Sequence, residues 1–367
     1  MPINVCVVGF GMSATVFHIP FILSSPSFHL SSIVERSATS TSSKAREAYP
    51  QVKVVNTLDE ALEDDRIDAV WILTINDTHY EYVKTCLDKG KHVIVEKPVT
   101  PTSEQAFELA KLAEEKNLVL AVYQNRRWDA DFLTIQKMIS NGTFGELSEF
   151  QSNFDRFRNE PAVTKVWKEK NLPGSGLAYD LGSHLVDQLL TLFGAPQRIT
   201  ARLLNSRLIG LPSVPDSFQI QLHYPPSPSS PSRQLPLIAT AQSSSLSLLT
   251  PQQRFLVKGT KASFIKHGLD VQEDQLKKFG KDAPGKEEFG RESEEAYGRL
   301  YKVENPGEVE RVKSENGSYK SWFENVAEAI ISGDREKLIV KPEQAALTIR
   351  IIELAIQSSE EGRTIDL

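Results

Sequence analysis

The segment Val7-Val8-Gly9-Phe10-Gly11-Met12-Ser13-Ala14 restricts the possible folds of this chain more than any other. An apolar, β-branched run over residues 3–9 ends on a glycine and gives way to a helical pattern, with the spacing G-x-G-x-x-A. The first glycine permits a tight strand-to-helix turn. The second lets a pyrophosphate approach the backbone, and a small third residue, here Ala14, lets helix and strand lie close together. A helix opening at such a turn directs unpaired N–H groups and the positive end of its dipole at the ligand. Phe10, Met12 and Ser13 occupy the intervening positions of this candidate dinucleotide cradle.

Glu35 follows at the end of the second apolar run, where a carboxylate can hold the hydroxyls of a ribose and select NAD. Arg36 and Ser37 come next, and an arginine there can pair a 2′-phosphate and select NADP. The two cues conflict. The hydroxyl-rich stretch from Ser37 to Ser43 tips the expectation toward NADP(H), with NAD(H) possible.

The first part of the chain alternates short apolar runs (residues 3–9, 28–35, 52–56, 69–74, 92–96 and 118–124) with helical patterns (16–23, 42–49, 58–63, 78–89 and 102–116). This alternation predicts an α/β fold built on a doubly wound, parallel Rossmann sheet. After Gln124 the pattern changes. Helices are expected at 131–140, 182–193, 319–332 and 342–360, and strands at 146–156, 196–204, 216–224, 237–246, 254–259 and 262–266. The second half therefore reads as an α+β domain with an open, mainly antiparallel sheet. Residues 272–310 read as charged and loop-rich, and the Pro/Ser stretch over 225–236 as a disordered insertion. The domains expected are 1–124, for the dinucleotide, and 125–367, for substrate binding and oligomerisation. The C-terminal helix over 342–360 is a candidate to pack back on the first domain.

Composition narrows the function classes. With 42 Lys and Arg against 48 Asp and Glu, the net charge is −6, the wrong sign for a protein that holds nucleic acid by neutralising phosphates. Two cysteines, Cys6 and Cys86, cannot build a disulfide framework, and no Cys/His cluster suggests a metal. No basic leader and no long apolar run is present, so a cytoplasmic protein without a membrane partner is expected, and the sequons at Asn76, Asn141 and Asn316 are read as unmodified.

Two further groups carry chemistry. The fifth run ends His92-Val93-Ile94-Val95-Glu96-Lys97-Pro98, and ligands of open α/β sheets bind beyond the carboxyl ends of strands. Lys97 there could bond a nicotinamide ribose and a substrate hydroxyl, and stabilise a developing alkoxide. Downstream, Asp180 and His184 are four apart, on one face if a helix has begun. An orienting carboxylate beside a histidine suits general base work, although an isolated pair of this kind also suits a capped helix with a satisfied histidine.

Taken together, Gly9-Phe10-Gly11, Thr74-Ile75-Asn76 with His79, Gly90-Lys91-His92 running into Glu96-Lys97-Pro98, and Asp180-Leu181-Gly182-Ser183-His184 resemble the Gfo/Idh/MocA oxidoreductase family over nearly the whole chain. Tyr123-Gln124-Asn125-Arg126-Arg127-Trp128-Asp129, Trp167-Lys168 and His267-Gly268-Leu269-Asp270 are similar to its NADP-dependent scyllo-inositol dehydrogenase and sugar reductase subgroup. The resemblance implies that Thr74, Asn76, His79, Glu96 and Gln124 line the cofactor site. It also implies that Lys97 contacts cofactor and substrate, that Asp180 and His184 line the substrate pocket, that the Lys97–Pro98 bond is cis, and that the open sheet pairs subunits into a dimer or tetramer. Arg126, Asp129, Asn153, Asp155, Trp167 and Lys168 are candidates for the polar wall that selects the substrate, with Arg127 beside them. Lys168 stands where an arginine is expected, which weakens bidentate binding of a substrate oxygen.

The function expected is hydride transfer between NADP(H) and a secondary alcohol or carbonyl of a polyol, inositol or sugar. In that chemistry His184 is general base or acid, Lys97 polarises the oxygen, and Asp180 fixes the substrate hydroxyls. Two alternatives are a non-catalytic NAD(P)-binding sensor or transcriptional regulator of the same fold, and a bilin-type reductase. The presence of Lys97, Asp180 and His184 together favours the dehydrogenase.

Overall fold

The computed structural model describes residues 1–161, 172–211, 213–226 and 234–367. These form two compact units. The first comprises residues 1–125, 272–289 and 318–346; the second comprises 126–271, 290–317 and 347–367.

The first unit is a wound parallel sheet. Its strands are β1 (Ile3–Val8), β2 (Phe28–Val34), β3 (Lys53–Val55), β4 (Ala69–Ile72), β5 (His92–Val95) and β6 (Leu120–Val122), in the order β3-β2-β1-β4-β5-β6. All neighbouring pairs are parallel. The connections run through α1 (Ile19–Ser24), α2 (Lys44–Ala48), α3 (Leu58–Leu62), α4 (His79–Asp88) and α5 (Ser103–Glu115). Strands buried on both faces need continuous apolar runs, and Val5, Val7, Val70, Trp71, Val93 and Ile94 are wholly buried. The direction in which successive strands are added to the sheet switches between β1 and β4, the point where a dinucleotide binds in this architecture.

The second unit holds a sheet of nine strands: β7 (Leu147–Asn153), β8 (Arg198–Leu204), β9 (Ser217–Tyr224), β10 (Leu237–Ser244), β11 (Gln253–Gly259), β12 (Ala262–His267), β13 (Gly298–Lys302), β14 (Glu310–Val312) and β15 (Ile365–Asp366). All its pairs are antiparallel except β7 with β10. One face carries Phe150, Ile220, Leu222, Ala239, Ala241, Phe255 and Val257. These share a core with Phe132 and Ile135 of α6 (Ala130–Ser140), Leu185, Val186 and Leu189 of α7 (Ser183–Phe193), and Ile351, Ile352 and Ala355 of α10 (Pro342–Glu361). Gln219, Gln242 and Ile238 point to the other face and stay partly or fully exposed.

Residues 272–310, read as loop-rich, contain a helix, α8 (Gln272–Phe279), the strand β13 and the start of β14. The reason is local. In α8 only Gln272 and Leu276 are buried, and the rest is a charged face with a Lys277–Glu273 pair, so no apolar period announces the helix. The Pro/Ser insertion falls mostly on residues 227–233, outside the described residues.

Candidate functional site

Gly9 closes β1 in the left-handed region, at φ +100°, and a Cβ there would meet the Leu73 carbonyl oxygen at 2.9 Å. Its N–H donates to the Val34 carbonyl at 3.0 Å, while the Leu73 N–H donates to the Val8 carbonyl at 2.9 Å, locking the turn between β2 and β4. Gly11 is different. A Cβ built on it meets nothing within 4 Å, so the space beside it is open, as a cradle for a pyrophosphate requires. Ala14 is wholly buried beneath the turn, and Met12 is exposed. Phe10 sets its ring edge-on to Tyr49, with centroids 6.1 Å apart. The residues present therefore fit a dinucleotide at the end of β1.

The end of β2 gives Glu35 and Arg36 different surroundings. The Glu35 carboxylate accepts from the Ser43 hydroxyl at 2.6 Å and from the backbone N–H groups of Ala45 at 3.1 Å and Lys44 at 3.2 Å. Burial pushes its pKa up, but these three donors outweigh burial and hold it below the usual range. Glu35 thus satisfies the N-terminus of α2. Arg36 and Ser37 are exposed, and the Arg36 guanidinium makes no hydrogen bond or ion pair among the described residues. Asn56, which the sequence reading passed over, holds this loop by donating to the carbonyls of Glu35 at 3.3 Å and Ala38 at 2.7 Å.

At the end of β5 the Lys97–Pro98 bond is cis. Two buried histidines grip this turn. His79, 1% exposed, sets Nδ1 3.0 Å from the Pro98 carbonyl and Nε2 3.2 Å from the Thr74 carbonyl. Burial pushes its pKa down. His79, expected near the cofactor, thus ties together the backbone of the loops that follow β4 and β5. His18, not foreseen at all, sets Nε2 3.1 Å from Glu96 Oε1, which also accepts from the Ser13 hydroxyl. Glu96 Oε2 accepts from the Lys97 backbone N–H at 3.1 Å. Burial raises the Glu96 pKa, but the hydrogen bond and charge of His18, the Ser13 hydroxyl and the charge of Lys97 win, and it is held down at about 2. Thr74 Oγ1 lies 2.7 Å from Thr78 Oγ1, and Asn76 and Gln124 are both buried.

In the second unit, Asp180 falls in a π-helical turn over Ala178–Gly182, and His184 in the first turn of α7. The four-residue spacing is therefore not the regular α-helical one. Such turns are rare and concentrate at functional sites. His184 is 6% exposed, whereas the Asp180 side chain is 20% exposed with the Arg156 guanidinium 4.0 Å away. Arg156 escaped the sequence reading because it ends a strand pattern without a partner nearby in sequence.

The polar-wall candidates separate. Arg126 Nη1 lies 3.4 Å from Asp129 Oδ2, with its guanidinium 5.0 Å from the Phe154 ring centroid. Burial, then the neighbouring charge of Asp270, pushes Asp129 well above the carboxylate range, against Arg126. Arg127 is committed elsewhere, in a buried bidentate pair with Asp187 at 2.8 and 2.6 Å. Asp155 accepts from the Ser244 N–H at 2.7 Å, and burial raises its pKa. Asn153 is 2% exposed, and its Nδ2 has no hydrogen-bond acceptor among the described residues. Trp167 and Lys168 lie outside the described residues.

A wound parallel sheet in one unit and a mainly antiparallel sheet in the other define a two-unit α/β protein of the dinucleotide-binding type, and comparison with known proteins gives its kin. Residues 3–124 match the oxidoreductase-family NAD-binding Rossmann fold, and residues 136–367 match the same family's C-terminal alpha/beta domain. The chain belongs to the Gfo/Idh/MocA oxidoreductase family. It is 42% identical to the uncharacterized oxidoreductase C115.03 of Schizosaccharomyces pombe, over 100% of both chains. It is 37% identical to the scyllo-inositol 2-dehydrogenase (NADP(+)) IolW of Bacillus subtilis, over 100% of this chain and 96% of that one. The solved structure of the oxidoreductase yvaA from Bacillus subtilis superposes with a TM-score of 0.88 at 36% identity, covering 100% of this chain and 98% of that one. No helix among the described residues is long and apolar enough to cross a membrane.

Proposed function

We propose that this oxidoreductase transfers hydride between NADP(H) and a secondary alcohol or carbonyl of a polyol, inositol or sugar. One observation carries the cofactor choice. The Glu35 carboxylate is taken up by the N-terminus of α2, while the adjacent Arg36 guanidinium is exposed without a partner among the described residues. A carboxylate already accepting three hydrogen bonds is poorly placed to hold a ribose diol, and a free guanidinium suits a 2′-phosphate. The NADP-linked name of a relative 37% identical over the whole chain supports the same choice.

When bound, the nicotinamide supplies or accepts the hydride. The chain's residues do the rest in this reading. Gly9 to Ala14 and the following helical turn receive the pyrophosphate, with Thr74, Asn76, His79, Glu96 and Gln124 shaping the site. Lys97 donates to the reacting oxygen and opposes its developing negative charge. His184 takes or returns the hydroxyl proton, and Asp180 accepts from neighbouring substrate hydroxyls. Asn153, with its amide nitrogen lacking an acceptor, is suited to a substrate oxygen, and Arg126, Asp129 and Asp155 supply further polar groups. Trp167 and Lys168 belong to the same proposal by resemblance. The exposed face of the nine-stranded sheet is the surface for a homodimer or homotetramer. The setting is a reducing, cytoplasmic one, in keeping with Cys6 and Cys86 as buried free thiols.

The test is a panel of polyols, inositols and sugars with NADP+ and NAD+ in parallel, followed by nicotinamide absorbance. Turnover of a cyclic or open-chain polyol with NADP+ is the expected outcome. Absence of turnover despite NADPH binding would move the protein to a sensing role.

A further inference from the structure

We infer that His18 is a positioning residue for Lys97, and that Ser13, His18 and Glu96 form a strut between the glycine-rich turn and the lysine turn. The inference rests on the role proposed for Lys97 above. Ser13 and His18 sit at the two ends of a π-helical segment, Ser13–His18, that follows the glycines directly. On an α-helix of 3.6 residues per turn, residues five apart point about 140° away from each other. In a π-helix the backbone bonds join residues five apart, so their side chains lie on one side. The π geometry therefore lets Ser13 and His18 reach a single acceptor, Glu96 Oε1. The other carboxylate oxygen, Oε2, takes the Lys97 backbone N–H. Glu96 thus ties the first helical residues after the phosphate turn to the backbone that carries Lys97.

The surroundings of His18 permit little else. The ring is wholly buried, with Tyr123 at 4.1 Å, Phe323 at 5.8 Å and Trp322 at 6.5 Å between centroids. Its Nδ1 has no hydrogen-bond partner among the described residues, so Nε2 is the nitrogen that carries the hydrogen to Glu96. Trp322 and Phe323 belong to α9 (Tyr319–Ser332), which with the Tyr123 hydroxyl bonded to the Phe17 carbonyl at 3.1 Å holds the ring in one orientation. A histidine held in an apolar box, with one nitrogen aimed at one carboxylate, is costly to keep for packing alone. A leucine there would fill the box without that cost.

The test compares His18→Leu, His18→Gln, Glu96→Gln and Lys97→Ala in the full chain. Glutamine can place an N–H near the position of Nε2; leucine cannot. His18→Leu is expected to lower kcat about tenfold or more, with NADPH affinity by fluorescence titration and substrate KM within about threefold. His18→Gln is expected to recover most of that loss. Glu96→Gln, which cannot accept the Lys97 N–H in both amide orientations while keeping both donors on the other atom, should lower kcat similarly. An unchanged kcat in His18→Leu, or an equal loss in Leu and Gln, overturns the inference. If His18→Leu does not fold, Glu96→Gln decides: a kcat equal to the parent's overturns it. Lys97→Ala separates the two claims. Full turnover in that variant refutes the catalytic role of Lys97, whereas its loss beside an unaffected His18→Leu refutes only the strut.

Discussion

Arg254 is 1% exposed, and each nitrogen of its guanidinium has a partner. It pairs Asp131 at 3.1 Å and donates to Gln188 Oε1 and Ser152 Oγ, each at 2.8 Å. Arg254→Met would leave Asp131 buried without its cation, and should cost about 3–5 kcal/mol in a denaturant midpoint. Adding Asp131→Asn to that variant should recover part of the loss. Nothing in the sequence marks Arg254, since Asp131 is 123 positions away and Gln188 is 66. Lys97, Glu35 and His184 stand out in the sequence as candidates for the opposite reason: each sits in or beside a short local motif. His18 and Asn56 were not, because their partners arrive from other strands. Glu96 adds a pH prediction. Its pKa in the fold is about 2 against an ordinary 4.5, so its carboxylate stabilises the folded state. That contribution is complete above pH 4.5 and fades as pH falls toward 2. Thermal midpoints measured from neutral pH downward should therefore fall less steeply in Glu96→Gln than in the parent protein.

At the scale of elements, the two glycines of the first turn predict different failures. Gly9→Ala forces a side chain into a backbone at φ +100° and 2.9 Å from the Leu73 carbonyl, so it should lower the thermal midpoint. Gly11→Ala meets nothing within 4 Å and should fold normally, while weakening NADPH binding in a fluorescence titration. An equal loss of stability in both would contradict this division. The parallel strands were legible because they are short, apolar and regularly spaced. The π-helical segments Ser13–His18 and Ala178–Gly182 were not, since an extra residue in a helical turn leaves no mark on an apolar period. β13 and β14, of five and three residues, carry too few apolar positions to be separated from the charged segment around them.

At the scale of the whole molecule, the chain passes between its two units several times, and residues 272–289 and 318–346 pack with the first. Trp322 and Phe323 around His18 come from the second of these returns, a long-range arrangement that no local pattern encodes. The exposed face of the nine-stranded sheet predicts a dimer or tetramer by light scattering, and Ile238→Lys, at a position 41% exposed on β10, should shift that population toward monomer. The central claim concerns the cofactor, and parallel fluorescence titrations of NADPH and NADH with the parent protein and Arg36→Ala test it most directly. NADPH should bind about tenfold or more tightly than NADH, as expected for a charge-assisted pair, and Arg36→Ala should remove most of that difference. Equal affinity for the two nucleotides, unchanged by the substitution, would contradict the account.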